Sequence, residues 1–159
     1  MSESTFSKQL ARIPYGVSIV TVGIGGAENG LTISWLSQVS FDPPMLMFAI
    51  DKKHYSTELV EDIPAFVVNL LAEGQNEMAG HFAKPSMTKE NKLDSYETKT
   101  LDSGLTVLTD ALAYYECDVV ARHEAGDHWI VIGKVIAAED LNEGEPLTSA
   151  HGPRYRKSK

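Results

Sequence analysis

The sequence holds a single cysteine, Cys117. One thiol excludes an intrachain disulfide, a thiolate-rich zinc site and an iron–sulfur cluster held by one chain. The text around it, Ala113-Tyr-Tyr-Glu-Cys-Asp-Val-Val-Ala121, alternates like a strand. Cys117 therefore reads as a small buried hydrophobe rather than a nucleophile. Long apolar runs are missing too: none approaches the roughly 20 residues needed to span a bilayer. The opening Met1-Ser-Glu-Ser-Thr-Phe-Ser-Lys8 lacks the apolar centre of a signal peptide. A cytoplasmic protein with no membrane partner is expected.

Positive charge is scarce. Lys and Arg number 14 against 22 Asp and Glu, a formal net charge of −8. Such a surface repels nucleic-acid phosphates and anionic lipid, so no nucleic-acid partner is expected. It also makes the few basic clusters informative, because an anionic ligand must be drawn in by local charge. Gly25-Gly26 is no dinucleotide fingerprint, since the spacing is wrong and no helical pattern follows. No Ser-His-Asp arrangement is marked, and no paired His or carboxylates show metal-ligand spacing.

What remains is a chain of 159 residues, 43% apolar, with scattered Gly and Pro. That fits one domain over residues 1–159 with a real core. Phe6, Leu10 and Ile13 lie at helical spacing, so a short helix is expected over 4–13. Val17 to Ile24 is β-branched and apolar, hence a strand covered on both faces. Turn residues from Gly25 to Gly30 join it to a second strand at about 31–39. Asp42-Pro43-Pro44 should break that ladder, because proline lacks an N–H and restricts its predecessor. Further strands are expected at 45–50, 66–71, 111–122 and 128–138, with the turn Glu124-Ala-Gly126-Asp127 joining the last two. Short helices are expected over 56–62 and 75–82. The stretch 83–103 is polar and weakly patterned, as a lid or partner-contacting loop would be. The tail, 146–159, ends basic. These elements make a mainly β protein of about six antiparallel strands with short helices, economically arranged as a closed or partly closed barrel.

Three places have the residue types for chemistry. In Asn29-Gly-Leu-Thr32-Ile-Ser34-Trp35-Leu-Ser37-Gln38-Val39-Ser40-Phe-Asp42-Pro-Pro44, hydroxyls mix with apolar residues ahead of an irregular break. Backbone groups released from a ladder suit a planar heterocycle with alternating donors and acceptors; a plain amphipathic strand explains part of the same pattern. In Asp51-Lys52-Lys53-His54-Tyr55-Ser56-Thr57, a hydroxyl N-cap beside two lysines is a phosphate cradle. Taken alone, the segment is explained more simply by a capped helix with solvated lysines. In Gly126-Asp127-His128-Trp129, the histidine can donate to an anion or place a cofactor, or simply sit on a hairpin turn.

Together these segments resemble the flavin reductase-like family of FMN-binding split β-barrels. The resemblance runs from about Pro14 to Tyr155. It is carried by the segment from Asn29 to Pro44, by His54-Tyr-Ser-Thr57, by Phe66-Val-Val-Asn69-Leu-Leu71 and His81-Phe82-Ala, and by Glu116-Cys117 with Gly126-Asp127-His128 through Gly133-Lys-Val135. The resemblance implies a bound FMN, with FAD as the alternative, and NADH or NADPH as electron donor. It implies that Thr32, Ser34, Trp35, Ser37, Gln38, Val39 and Ser40 wrap the isoalloxazine. It implies that Lys53, Ser56 and Thr57 hold the phosphate, that Asn69 lies by the cofactor, and that His128 takes part in catalysis by placing the nicotinamide. Near the end, His151-Gly-Pro-Arg154-Tyr155 departs by one residue from the family's basic and Gly-x-Tyr pattern, and Arg154 and Tyr155 are carried over as cofactor contacts. The longer C-terminal arm of some members is expected to be missing. Members are typically homodimers with FMN near the interface. The implied activity is NAD(P)H:flavin oxidoreduction. An FMN electron carrier reduced by a redox-protein partner is the alternative, and a binding or structural barrel that has lost the cofactor or uses another tetrapyrrole or flavin ligand is the third reading.

Overall fold

The structure is a computed structural model that describes residues 6–53, 62–84 and 91–150. Among these residues there are nine strands: β1 (Ser18–Val22), β2 (Asn29–Ile33), β3 (Leu36–Phe41), β4 (Pro44–Asp51), β5 (Ala65–Leu70), β6 (Thr98–Thr100), β7 (Thr106–Leu108), β8 (Ala113–Ala125) and β9 (His128–Asp140). Two α-helices, α1 (Ser7–Leu10) and α2 (Asn76–Ala83), and a 3-10 turn at Lys92–Ser95 complete the described elements.

All five residues of β1 are buried. Val20 and Val22 enter the barrel interior, while Val17 and Ile19 meet α2 and Leu147 on the other face. A strand covered on both faces has no polar side to alternate with, which is why its sequence is almost wholly apolar. Seven strands form one antiparallel sheet in the order β2-β1-β5-β8-β9-β4-β3. The sheet curls so that β2 approaches β4, yet no ladder joins the two ends, so the barrel is open along one seam. Its interior is filled by Leu31, Ile33, Phe48, Ile50, Phe66, Val68, Cys117 and Val131. Phe48 and Phe66 meet edge to face at 5.0 Å, and burying each aromatic ring stabilises the fold by about 1.5–3 kcal/mol. As its sequence context implied, Cys117 is fully buried, and burial pushes its thiol up to about 12.

Several sequence expectations are corrected. The second strand, read at about 31–39, is two: the chain leaves the sheet at Ser34-Trp35, and β2 and β3 end at opposite edges of it. Asp42-Pro43-Pro44 does not break the ladder. Phe41 pairs with Pro44, so Asp42 and Pro43, joined by a cis peptide bond, form the turn of the β3–β4 hairpin. Proline is tolerated because it stands at the first residue of β4. The polar stretch 83–103 contains the 3-10 turn and β6, which pairs with β7; strands of three residues are too short to show a period. The helix expected over 4–13 shrinks to α1, with Phe6, Leu10 and Ile13 exposed. Gly30 is not a turn glycine. It lies in β2, where a Cβ would stand 2.7 Å from the Phe82 ring, and its missing side chain lets α2 settle on the sheet. No described helix is long and apolar enough to cross a membrane.

Gly133 makes the same kind of room inside the barrel. A Cβ there would stand 2.6 Å from Phe66 and 2.8 Å from the Cβ of Cys117, and both neighbours are fully buried and unable to yield. Gly133→Ala is expected to destabilise the fold by about 1–3 kcal/mol. A denaturant midpoint unchanged from the parent would refute this.

Candidate functional site

β3 is the last strand of the large sheet, and among the described residues nothing pairs with its outer side. The Ala49 N–H donates to the Trp35 carbonyl at 3.0 Å, which makes residues 35 and 49 a hydrogen-bonded pair. The register continues as Leu36 with Phe48, Ser37 with Met47 and Gln38 with Leu46. Antiparallel pairs alternate in type, so the backbone groups of Leu36 and Gln38 face away from β4. The register then slips between Gln38 and Ser40, leaving Val39 as the extra residue of a bulge. Bulges twist an edge and re-aim its groups. The result is a short row of outward N–H and C=O groups of both kinds. Ser37 Oγ donates to the Gln38 carbonyl at 3.0 Å, and Gln38 Nε2 to the Ser40 carbonyl at 3.2 Å.

Trp35 stands at the start of this edge with 56% of its surface exposed. Its ring lies 4.7 Å from that of His128, tilted by 39°. His128 opens β9 opposite Asp51, the last residue of β4. The site is thus built where the end of β4, the β8–β9 turn and the entry to β3 converge. Gly126, at φ 60°, lets that turn close tightly. The Lys52 N–H donates to the Asp127 carbonyl at 2.9 Å, and His128 Nδ1 lies 2.7 Å from Asp127 Oδ1. Lys52 Nζ sits over the Trp129 ring at 5.2 Å and 3.7 Å from Glu124. Lys53 is exposed beside it, its N–H held by Asp51 at 2.8 Å. This arrangement offers a polar backbone edge, an aromatic wall and two nearby lysines, which together suit a flat, hydrogen-bonding, anionic ligand.

Of the residues read from sequence, the structure brings Trp35, Ser37, Gln38, Val39 and Ser40 together on the edge, with Ser34 half-buried just before it. His128 adjoins Trp35, and Lys53 lies two residues past Asp51, which pairs with His128. Thr32 stands apart, donating its hydroxyl to the Ala79 carbonyl of α2 at 2.6 Å. Asn69 is fully buried; its Nδ2 donates to Ile19 O and Thr21 Oγ1, and its Oδ1 accepts from the Leu108 N–H. Its amide clamps β1, β5 and β7, which explains a polar residue in an apolar strand without any ligand. Ser56, Thr57, Arg154 and Tyr155 lie outside the described residues, as does most of the helix expected over 56–62.

Two residues were overlooked in the sequence. Asp127 had a signal, a carboxylate adjoining His128. Lys92 had none, being one lysine in a polar stretch. It is buried, with Nζ donating to Phe82 O at 3.1 Å and Gly30 O at 3.4 Å. Burial lowers its pKa from the ordinary lysine value. It thus ties the end of α2 to β2.

Residues 10–157 match the model of the flavin reductase like domain. The chain belongs to the flavin reductase-like family. It is 33% identical over 157 residues to the NADH-dependent FAD reductase of Streptomyces globisporus, covering 94% of this chain and 84% of that enzyme. The solved structure of the NADH:FAD oxidoreductase from Streptomyces globisporus C-1027 superposes with a TM-score of 0.85 at 28% identity, covering 100% of this chain and 97% of that one. Diflavin flavoprotein A 1 of Synechocystis sp. is 35% identical over 150 residues, 94% of this chain but 26% of that protein. The chain spans about a quarter of the length of the diflavin relatives that it matches.

The position of Asn69 gives a test that separates fold from ligand. Asn69→Ala leaves buried partners unsatisfied and is expected to cost on the order of 2–4 kcal/mol of stability. Flavin uptake per folded molecule should not change. A folded variant that no longer takes up flavin would return Asn69 to the ligand site.

Proposed function

We propose that this member of the flavin reductase-like family is an oxidoreductase that holds a flavin along the outer edge of β3 and reduces it with a nicotinamide donor. The observation that carries this reading is the bulged edge at Leu36 to Ser40, unpaired among the described residues, beside the adjoining Trp35 and His128 rings. The pyrimidine rim of a flavin alternates donors and acceptors, and a strand edge does the same. The relative from Streptomyces globisporus is an NADH-dependent FAD reductase, and a structure of that organism's NADH:FAD oxidoreductase contains NAD and FAD fragments. FMN is the flavin proposed, with Lys53, Ser56 and Thr57 at its phosphate and Arg154 and Tyr155 as further contacts.

When bound, the flavin supplies the ring that accepts a hydride. The chain's own part is positional and electrostatic. Outward N–H groups at Leu36 and Gln38 would hold the polar rim and would favour negative charge there. Trp35 forms an aromatic wall, and His128 meets the nicotinamide. Hydride transfer itself needs no side chain as general acid or base.

The partial match to the diflavin flavoproteins favours a second reading, in which the chain carries electrons on FMN for a redox-protein partner. Adding NADH without air separates the two. Bleaching of the flavin within turnover times is expected; a spectrum unchanged over minutes would select the carrier. Replacing Ser56 and Thr57 together by Ala removes hydrogen bonds to a charged phosphate, each worth about 1.5–3 kcal/mol. FMN affinity should fall more than tenfold with riboflavin binding little changed, and equal losses for both would refute the phosphate assignment.

A homodimer in the cytoplasm is the proposed setting. Leu46, Phe48 and Ile50 point into the barrel, so Met45, Met47 and Ala49 face outward beside Ile130 and Ile132 of β9 and Ala121 of β8. One face of an antiparallel sheet is ordinarily polar. This one carries a half-exposed apolar patch of Met47, Ala49, Ile130 and Ile132, bordered by Ser37, His123 and Lys134; a second copy of the chain would cover it. Met47→Asp should convert a dimer to a folded monomer in sedimentation velocity. A parent that sediments as a monomer would end the proposal.

A further inference from the structure

Histidine has two ring nitrogens, and the partner of one decides the chemistry of the other. At His128 the Nδ1 position is taken by Asp127 Oδ1 at 2.7 Å. A carboxylate only accepts, so the proton of the neutral ring must reside on Nδ1. Nε2 is then a bare acceptor. The ring has little freedom to escape this arrangement. Its side chain is 20% exposed against 58% for Asp127, and it leans on Trp35 at 4.7 Å. The turn that carries the carboxylate is itself held, because the Lys52 N–H donates to the Asp127 backbone carbonyl at 2.9 Å. The neighbouring carboxylate, Asp51, accepts from the Lys53 N–H at 2.8 Å.

We propose that Asp127 is a positioning residue which fixes the Nδ1–H form of His128, so that Nε2 accepts from the carboxamide N–H of a nicotinamide rather than donating to its carbonyl. The inference rests on the reading of this site as one that uses a nicotinamide donor. Its consequence is specificity: a dinucleotide whose carboxamide is replaced by a group without N–H loses its partner at Nε2, whatever its redox potential. Asp127→Asn reverses the logic. The amide of Asn can present its N–H to Nδ1, which a carboxylate cannot; Nδ1 then becomes the acceptor, the proton moves to Nε2, and the nitrogen offered to ligand turns from acceptor to donor.

The test uses the flavin-loaded full chain. Oxidised NAD and its 3-acetylpyridine analogue serve as competitive inhibitors of NADH, so their different potentials play no part. In the parent, NAD should inhibit about five- to tenfold more tightly than the analogue, the discrimination worth one hydrogen bond. In Asp127→Asn the ratio should fall to about one, since both ligands carry the carbonyl that a donating Nε2 needs. The second readout is the tautomer itself, from 15N spectra of the histidine ring at about pH 8, above the ordinary imidazole range. Nδ1–H is expected in the parent and Nε2–H in Asp127→Asn. An Nε2–H signal in the parent overturns the inference alone. So does an unchanged inhibition ratio in a variant whose tautomer has switched. If neither dinucleotide inhibits and NADH leaves the flavin oxidised, the nicotinamide role of Nε2 falls together with the reductase reading.

Discussion

A strand paired on one side only must satisfy a second row of backbone groups. The sheet curls almost into a barrel but leaves β2 and β3 unjoined at its ends. β2 has part of its row met by the buried Lys92, whose Nζ donates to the Gly30 carbonyl as well as to Phe82 O of α2. β3 has no such cover among the described residues. Its bulge at Val39 discourages another strand from adding to it while keeping donors and acceptors on offer. The proposed flavin edge is therefore the place where the fold fails to close.

Other features serve to hold that edge still. Gly133 lets Phe66 and Cys117 fill the interior against β9, and β9 in turn carries His128 at its first residue. Gly30 lets Phe82 lock α2 against β2. Asn69 ties β1 and β5 to β7 from within. A site made of backbone groups gains its geometry from the rigidity of the sheet, so core packing and ligand placement are coupled through the strands themselves.

Much of the fold was legible. The apolar run at Val17–Ile24 announced a doubly covered strand, and the long alternating segments at 111–122 and 128–138 announced the β8–β9 hairpin. The strong signals were long or strictly periodic. Short strands such as Thr98–Thr100 and Thr106–Leu108 have no room to display a period, and the polar stretch 83–103 concealed the first of them. The candidate site was legible as a segment but not as a mechanism. The double proline suggested released backbone groups, whereas the outward groups at Leu36 and Gln38 come from the position of β3 at the sheet's edge. The resemblance placed Asn69 beside the cofactor, yet its amide is consumed by the core.

Composition and pattern alone determined a mainly β chain whose single cysteine allows no intrachain disulfide, a buried Cys117, and a hydroxyl-rich segment from Thr32 to Ser40. These follow from local rules: period, propensity and the count of reactive side chains. Strand order, the open seam, the contact of Trp35 with His128 across 93 positions of chain and the burial of Lys92 were decided by tertiary structure. Each depends on which strands become neighbours, a non-local choice set by how the whole sheet buries its apolar face, and no short stretch of sequence contains it.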